Sequence, residues 1–427
     1  MNNSVECKDI GVDWIGSIPS NWKVSRFKHL FDEKKSTKNP ELNSGSISFG
    51  QVIYKNDESI PESTKEGYQE VLEGEFLINP LNLNYDLKSL RIALSRINVV
   101  VSQGYIVLKL HDHLHPNYYE YLLRKFDVEH MKSLGQGVRQ TISFTHLKDE
   151  NLVVPPIEEQ KLISRYLDKK TNQIDSLVEK IQKKIELLKE QRTSLINHYV
   201  TKGLDPNVEM KDSGIEWIGE IPKHWSVKTL KRIGNRKSGD GFKIDLQGRE
   251  DGQVPFYKVS DTNHVGNEIF LTIANNYLNE EEVKDNKLRK FPSNTIIFPK
   301  IGEVLKLNKR RITTKECCID NNMMGFLPFS EDLTKFIYFF MTLVNFEWYC
   351  SDGTIPSISE TQVGNIPFIS PPKEEQNHIV SKIEQDVERL DRLILLEQQR
   401  TNKLFEYRQS LISSVVTGKV RVTEDMI

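Results

Sequence analysis

Residues 9–25 read DIGVDWIGSIPSNWKVS and residues 212–228 read DSGIEWIGEIPKHWSVK, and nine of the seventeen positions are identical at an offset of 203. The matches include Trp14/Trp217, Gly16/Gly219, Pro19/Pro222 and Trp22/Trp225, and the chain has only five tryptophans, so the block is a true internal repeat. A second repeat has an offset of 216: PPIEEQ at 155–160 returns as PPKEEQ at 371–376, Arg192-Thr-Ser-Leu-Ile as Arg408-Gln-Ser-Leu-Ile, and Val200-Thr201 as Val416-Thr417. The offset grows by thirteen between the blocks, so the second copy carries insertions in an interior that has diverged between fixed ends. The chain therefore folds as two similar units, each with a Trp/Gly/Pro block, a variable stretch of roughly 130–145 residues and a long helix.

The helices follow from periodicity. Apolar residues at Ile163, Leu167, Ile174, Leu177, Ile181, Ile185, Leu188, Leu195 and Tyr199 alternate in threes and fours, with Lys170 and Arg192 as gaps. The second copy gives Ile379, Ile383, Leu390, Leu393, Leu404, Leu411 and Val415, interrupted by Glu397 and Thr401. Prolines 155–156 and 371–372 favour a helix start, and Gly203 and Gly418 lie where helices end. About 45 residues at 1.5 Å each make rods of about 65 Å. A rod cannot bury its stripe alone. Pairing the two with each other is the simplest solution and is antiparallel if the units obey a two-fold axis; packing of each rod on its own domain or on another subunit is the alternative.

The variable stretches read as α+β. Short β-branched runs lie at 46–54, 75–79, 97–110, 253–259, 295–298 and 323–328, and one amphipathic helix closes each unit, at 117–132 and 333–348. The expected layout is a first variable domain over 1–155, a long helix over 156–203, a second variable domain over 204–371, a second long helix over 372–420 and a tail over 421–427.

Catalytic signatures are scarce. There is no GxxxxGK[ST] for ATP, and no glycine-rich turn for a methyl donor. Asn79-Pro-Leu-Asn lacks the second proline and the aromatic of an amino-methyltransferase motif and reads as a turn after a strand. Asp205, Glu209 and Lys211 faintly imitate a nuclease triad, and His111, His113 and His115 alternate as a metal site would; a linker and a polar strand end explain them more simply. Four cysteines without a CxxC pair argue against a disulfide framework or a zinc site and for a reducing cytoplasm. No apolar run approaches the ~20 residues of a membrane span, and the first residues carry no charged-then-apolar signal pattern. The balance of 58 basic and 60 acidic residues excludes a polybasic tail but not a local basic face.

The densest basic cluster is 300–315, expected on a hairpin that meets phosphates: Lys300, Lys306, Lys309, Arg310 and Arg311. In the first unit Lys88, Arg91 and Arg96 lie near Asn79, Asn82 and Asn84. Gly-polar segments precede each Pro-Pro pair, at 135–143 with Arg139 and Gln140, and at 352–359; such loops suit close approach to a nucleic-acid backbone.

The two WIGxIPxxW blocks, the two PP-x-x-EQ motifs before long helices and their order together resemble the specificity subunits of type I restriction–modification systems, from Asp9 to about Val420. That resemblance implies two target-recognition domains, each reading one half of a bipartite, asymmetric DNA site, held apart by an antiparallel coiled coil that docks two methyltransferase subunits. It further implies a chain without catalysis of its own, with S-adenosylmethionine, ATP and Mg²⁺ belonging to the methyltransferase and restriction subunits. A non-catalytic scaffold whose variable domains bind protein is the competing reading.

Overall fold

The computed structural model describes residues 6–81, 90–134, 141–351 and 355–427, with Ser59 and Lys132 as backbone only. The chain divides into two compact units. One runs up to Lys183 and resumes over Glu397–Ile427, and the other spans Lys184–Leu396. Both long helices are continuous, Ile157–Lys202 and Lys373–Val416, so each unit holds part of both.

In the first unit the Trp block opens as a hairpin, Cys7–Asp9 against Ser17–Pro19. Lys23–Arg26 then pairs antiparallel with Asn151–Val154, so the two ends of the variable stretch meet beside the helix start. Inside lies an antiparallel four-stranded sheet in the order Phe31–Glu33, Ile106–Leu110, Phe76–Ile78, Ile92–Leu94. The helix Pro116–Glu129 starts with proline at its first position, where the missing N–H costs nothing. It buries Tyr118, Tyr119, Leu122, Leu123 and Phe126 in one core with Trp14, Trp22, Ile163, Leu167, Leu411 and Val415.

The second unit repeats the frame. Met210–Asp212 pairs with Glu220–Pro222, and Ser226–Thr229 with Pro367–Ser370. Its interior is larger: a five-stranded mixed sheet (Gly234–Ser238, Met323–Pro328, Ile296–Pro299, Arg311–Thr313, Phe270–Leu271) and a three-stranded one (Tyr277–Leu278, Val254–Tyr257, Cys318–Ile319). The expected helix over 333–348 is shorter. It runs Thr334–Leu343 and ends in a 3₁₀ turn at Phe346–Trp348, with Val344 already extended.

The helices pair antiparallel. In the second unit Tyr199 donates to Asp386 and Arg192 to Asp391, so one rod descends as the other ascends. In the first unit Arg408 donates to Asp175, and Leu411 and Val415 share a core with Ile163 and Leu167, in the same sense. Ile163, Leu167, Ile174, Ile181, Ile379, Ile383, Leu390 and Leu411 are buried as the heptads require, and Leu177, Leu188 and Leu404 are half-buried.

Two seam assignments need correction. Leu393 is 38% exposed, and its neighbour Ile394 is buried instead. Val380, Val387 and Ile394, seven residues apart, form the inward column, and Leu393 lies about 100° round the helix from Ile394. Leu195 is only half-buried; Ile196 and Val200 take its place because the end of the first helix packs into the core around Trp225.

Candidate nucleic-acid interface

The repeated motifs form one structural joint per unit. Trp22 is buried, and its indole Nε1 donates to Glu159 Oε2 at 2.8 Å; Trp225 donates to Glu375 Oε2 at 3.0 Å. A buried indole N–H needs an acceptor, and the second Glu of each Glu-Glu-Gln run supplies a charged one. The following glutamine caps its own helix start: Gln160 Nε2 donates to the Pro155 carbonyl and Gln376 Nε2 to the Pro371 carbonyl, both at 2.8 Å. Lys8 and Lys211 repeat at the 203 offset, donating to the carbonyls of Trp22 and Trp225. Lys211 is thus a strut of the joint. Glu209 is paired with Lys223 and Asp205 caps Asn207, so the residues of the nuclease imitation are dispersed among structural roles. His111 bonds Asp32, and among the described residues no cluster of three or more His, Cys, Asp or Glu could hold a metal ion.

On that joint each variable domain presents two segments that the fold brings together. In the second unit the Ile358 N–H donates to the Lys300 carbonyl at 2.9 Å and the Gly302 N–H to the Pro356 carbonyl at 2.8 Å, so the basic loop and the Gly-polar segment run side by side. In the first unit the Ile142 N–H donates to the Pro80 carbonyl at 3.1 Å, which sets the same segment beside the Asn79-Pro80 turn. Ile142 and Ile358 are repeat partners at the 216 offset, so the juxtaposition is a shared feature of two diverged domains.

The basic candidates divide. Lys88, Arg139 and Gln140 lie outside the described residues. Arg96 is exposed and bonded to Glu120 and Asn117, and Arg91 donates to the Leu81 carbonyl. The expected basic hairpin is a loop with a 3₁₀ turn, Glu303–Leu307, between antiparallel strands. Lys306 pairs with Glu303, Lys309 reaches Asn263, and Lys300 is half-exposed with no side-chain partner among the described residues.

Arg310 is not a surface residue. It is 1% exposed, its guanidinium stacks 3.7 Å over the Phe346 ring, and it donates to the carbonyls of Lys309 and Val344 and to Asn308 Oδ1. Burial away from any carboxylate lowers its pKa to about 9. A side chain so enclosed cannot reach phosphate, and the reason is positional: Arg310 lies at the end of the loop, just before the strand Arg311–Thr313, and packs under Phe346. Arg311 is half-buried, tied to the carbonyls of Arg310 and Thr262. Sequence reasoning passed over the turn Val259–Asn263 against which Lys309 and Arg311 rest; the polar run Ser-Asp-Thr-Asn-His at 260–264 was its only signal.

Residues 19–187 and 222–406 match the family described as Type I restriction modification DNA specificity domain, once in each half of the chain. The chain belongs to this family. Three proteins of Methanocaldococcus jannaschii are similar over nearly the full length. A provisional type I restriction enzyme specificity subunit, MjaX, is 25% identical over 438 residues, with 96% of each chain covered. The type I restriction enzyme MjaIX specificity subunit is 25% identical over 434 residues, again with 96% of each covered. The MjaVIII specificity subunit is 22% identical over 419 residues, covering 95% of this chain and 94% of that one. A solved structure from work on complex assembly and conformational transition of the type I R-M system shares the fold, with a TM-score of 0.71 at 12% identity, covering 94% of this chain and 99% of its own. The two matched spans of this specificity-subunit chain enclose both candidate segment pairs and both Trp–Glu contacts. No helix among the described residues is long and apolar enough to cross a membrane.

Proposed function

We propose that this specificity-subunit chain directs a type I restriction–modification complex to a bipartite, asymmetric DNA site, each variable domain reading one half. The observation that carries this reading is the juxtaposition repeated in both domains, a strand-end loop held against the residue-142 or residue-358 segment, built from different side chains in each. A shared scaffold with diverged contact residues suits two readers of different sequence. The continuous paired helices suit a spacer of fixed length, and rigid linkage multiplies the affinity of two weak half-site contacts.

On this reading the helices also dock two methyltransferase subunits, which bring S-adenosylmethionine and modify adenine. Restriction subunits bring ATP- and Mg²⁺-dependent action, and the chain itself works in the cytoplasm without catalysis. Its near-neutral charge fits weak DNA binding in isolation, with partners supplying part of the positive face.

The test is a map of N6-methyladenine by long-read sequencing after co-expression with the methyltransferase encoded beside this chain. A split motif with a constant gap is expected, and exchanging residues 229–366 for those of a relative should change one half only. No motif, with both proteins present and co-eluting, overturns the reading in favour of a scaffold.

A further inference from the structure

The five-stranded sheet of the second unit has one strand more than its counterpart. Phe270–Leu271 lies outside Arg311–Thr313, whereas among the described residues the first unit's sheet ends at Ile92–Leu94. The extra strand belongs to a loop, 258–275, built around two fully buried polar side chains, Asp261 and Asn267. Asp261 accepts from the N–H groups of Lys258 at 2.6 Å and Asn275 at 3.0 Å. Asn267 donates to the carbonyls of Asp261 and Ile273 and accepts from the N–H groups of Thr272 and Ile273. The loop is therefore fixed from inside, by a satisfied polar network that specifies one backbone path.

That construction holds an apolar tip in water. Residues 264–267 form a turn closed by the Asn267 N–H on the His264 carbonyl at 3.0 Å, with Gly266 at φ +97° where a type II turn requires it. Val265 is the first central residue of the turn and is 88% exposed. A solvated turn gains nothing from valine, and a β-branched side chain has little rotamer freedom, so its two methyl groups are presented in a defined place.

The loop is tied to the basic segment of the candidate interface. Arg311 Nη2 donates to the Thr262 carbonyl at 2.8 Å, Lys309 reaches Asn263, and the Ile312 N–H donates to the Ile269 carbonyl at 2.8 Å. The partners of Lys309 and Arg311 are a neutral amide and carbonyls, so their charge still draws a polyanion. Valine itself cannot bond phosphate. The Glu268 carboxylate, which accepts from the Gly266 N–H at 3.0 Å, keeps phosphate off the turn and leaves the tip to a base edge. In duplex DNA the apolar group on a base edge is the C5-methyl of thymine, and it lies in the major groove. A protein partner would need a desolvated apolar centre, whereas the other exposed aliphatic of this region, Leu307, stands in the chain between Lys306 and Lys309.

We propose that Val265 is a specificity-determining residue of the second domain, packing its methyl groups on the C5-methyl of one thymine in the half-site which that domain reads; this rests on the half-site reading stated under the proposed function. The buried Asp261 and Asn267 set the position of the tip, and Lys309 and Arg311 tie it to the loop that meets phosphate. The first domain lacks the extra strand among its described residues, so the contact is particular to one half of the target.

The test removes single methyl groups from the DNA. The full chain, assembled with the methyltransferase subunit encoded beside it, is titrated with duplexes carrying the mapped motif, in which each thymine of the second domain's half is replaced in turn by uracil. Uracil at one position is expected to weaken binding by wild type about fourfold, the value of one buried methyl group. Val265→Ala should weaken binding to the thymine duplex by a similar factor and abolish the difference between thymine and uracil at that position, while Val265→Ile keeps it. Affinity for an unrelated duplex should be unchanged in both variants, and their melting temperatures should stay within about 2 °C of wild type, as for exposed substitutions. A uracil effect that survives Val265→Ala, or that disappears in Leu307→Ala instead, overturns the assignment and leaves the half-site reading standing. So does the absence of any uracil effect in that half, or an equal loss on the unrelated duplex. The absence of a split motif in the methylation map overturns both.

Discussion

Arg192 Nε donates to Asp391 Oδ1 at 2.9 Å, joining the first long helix to the second where both run through one unit. The contact recurs in the other unit at Arg408 and Asp175, at 3.1 Å, and both residues are shifted by 216. A repeat partner of each residue thus meets the repeat partner of the other, the signature of a self-complementary pairing. It also explains the gap that Arg192 leaves in the apolar seam. The position is polar because it fixes register, as single polar residues do in coiled coils.

Breaking one fork should be inexpensive and reversing one partner should not. Both side chains are partly exposed, so Arg192→Ala should cost about 0.5–1 kcal/mol. Asp391→Arg opposes two cations and should cost more than Arg192→Ala. The exchanged pair, Arg192→Asp with Asp391→Arg, should recover most of the loss. A double-mutant cycle from urea unfolding measures this; equal costs for all three would mean that the contact carries no register information.

The indole–carboxylate joint should be more sensitive. Glu159→Leu leaves the buried Trp22 N–H without its acceptor, and about 2–3 kcal/mol should be lost. Glu159→Gln keeps an oxygen there and should lose about 1 kcal/mol. Glu375→Leu and Glu375→Gln should behave alike in the second unit, since Trp225 is held in the same way. Tryptophan fluorescence during unfolding reads both joints.

Glycines of like φ should respond unlike. Gly418 has φ +75°, and a Cβ there would fall 2.3 Å from Pro19 Cδ; Gly11 has φ +66° with nothing within 4 Å. Gly11→Ala should cost only the left-handed strain, about 1–2 kcal/mol. Gly418→Ala adds a collision with the ring it seals and should cost about 2–3 kcal/mol more, by the scale of overpacking. Gly203→Ala, with Trp225 at 3.2 Å, should fall between. Calorimetric melting gives the order directly.

What could be read in advance was what local pattern specifies. The strands at 76–78, 99–101, 106–110, 254–257, 296–299 and 323–328 and the rods follow from residue type and period, because each local preference agrees with its neighbours, whereas the repeated motifs marked the residues of the two joints but not the Trp–Glu contacts that make them. The seam failed at Leu393 and Leu195, where burial depends on tertiary partners: two leucines equally apolar in sequence are sorted by a helix face that packs on a domain core as well as on the other rod. The site was less legible for a related reason. A run of basic residues at the end of a loop does not declare which side chain turns inward: Arg310, just before the strand Arg311–Thr313, is enclosed under Phe346 while its neighbour Lys309 is half-exposed, and composition does not specify which. The pairing of Lys300 with Ile358 is a long-range backbone contact that no local pattern encodes.

That division sets the last prediction. Arg310→Ala removes a stacked, fully enclosed side chain and three hydrogen bonds, and should destabilise the second unit by about 3 kcal/mol, on the scale of large-to-small core changes. Methylation would fall with the folded fraction, and DNA affinity measured on the surviving folded protein would be unchanged. Lys300→Ala should do the reverse. Its melting temperature should stay within about 2 °C, while the assembled complex binds DNA several-fold more weakly and loses about 0.9 from the slope of log affinity against log salt, as one released phosphate contact requires. The two variants together separate a basic residue that builds the domain from one that serves its ligand. An unchanged salt slope for Lys300→Ala would remove that loop from the DNA interface.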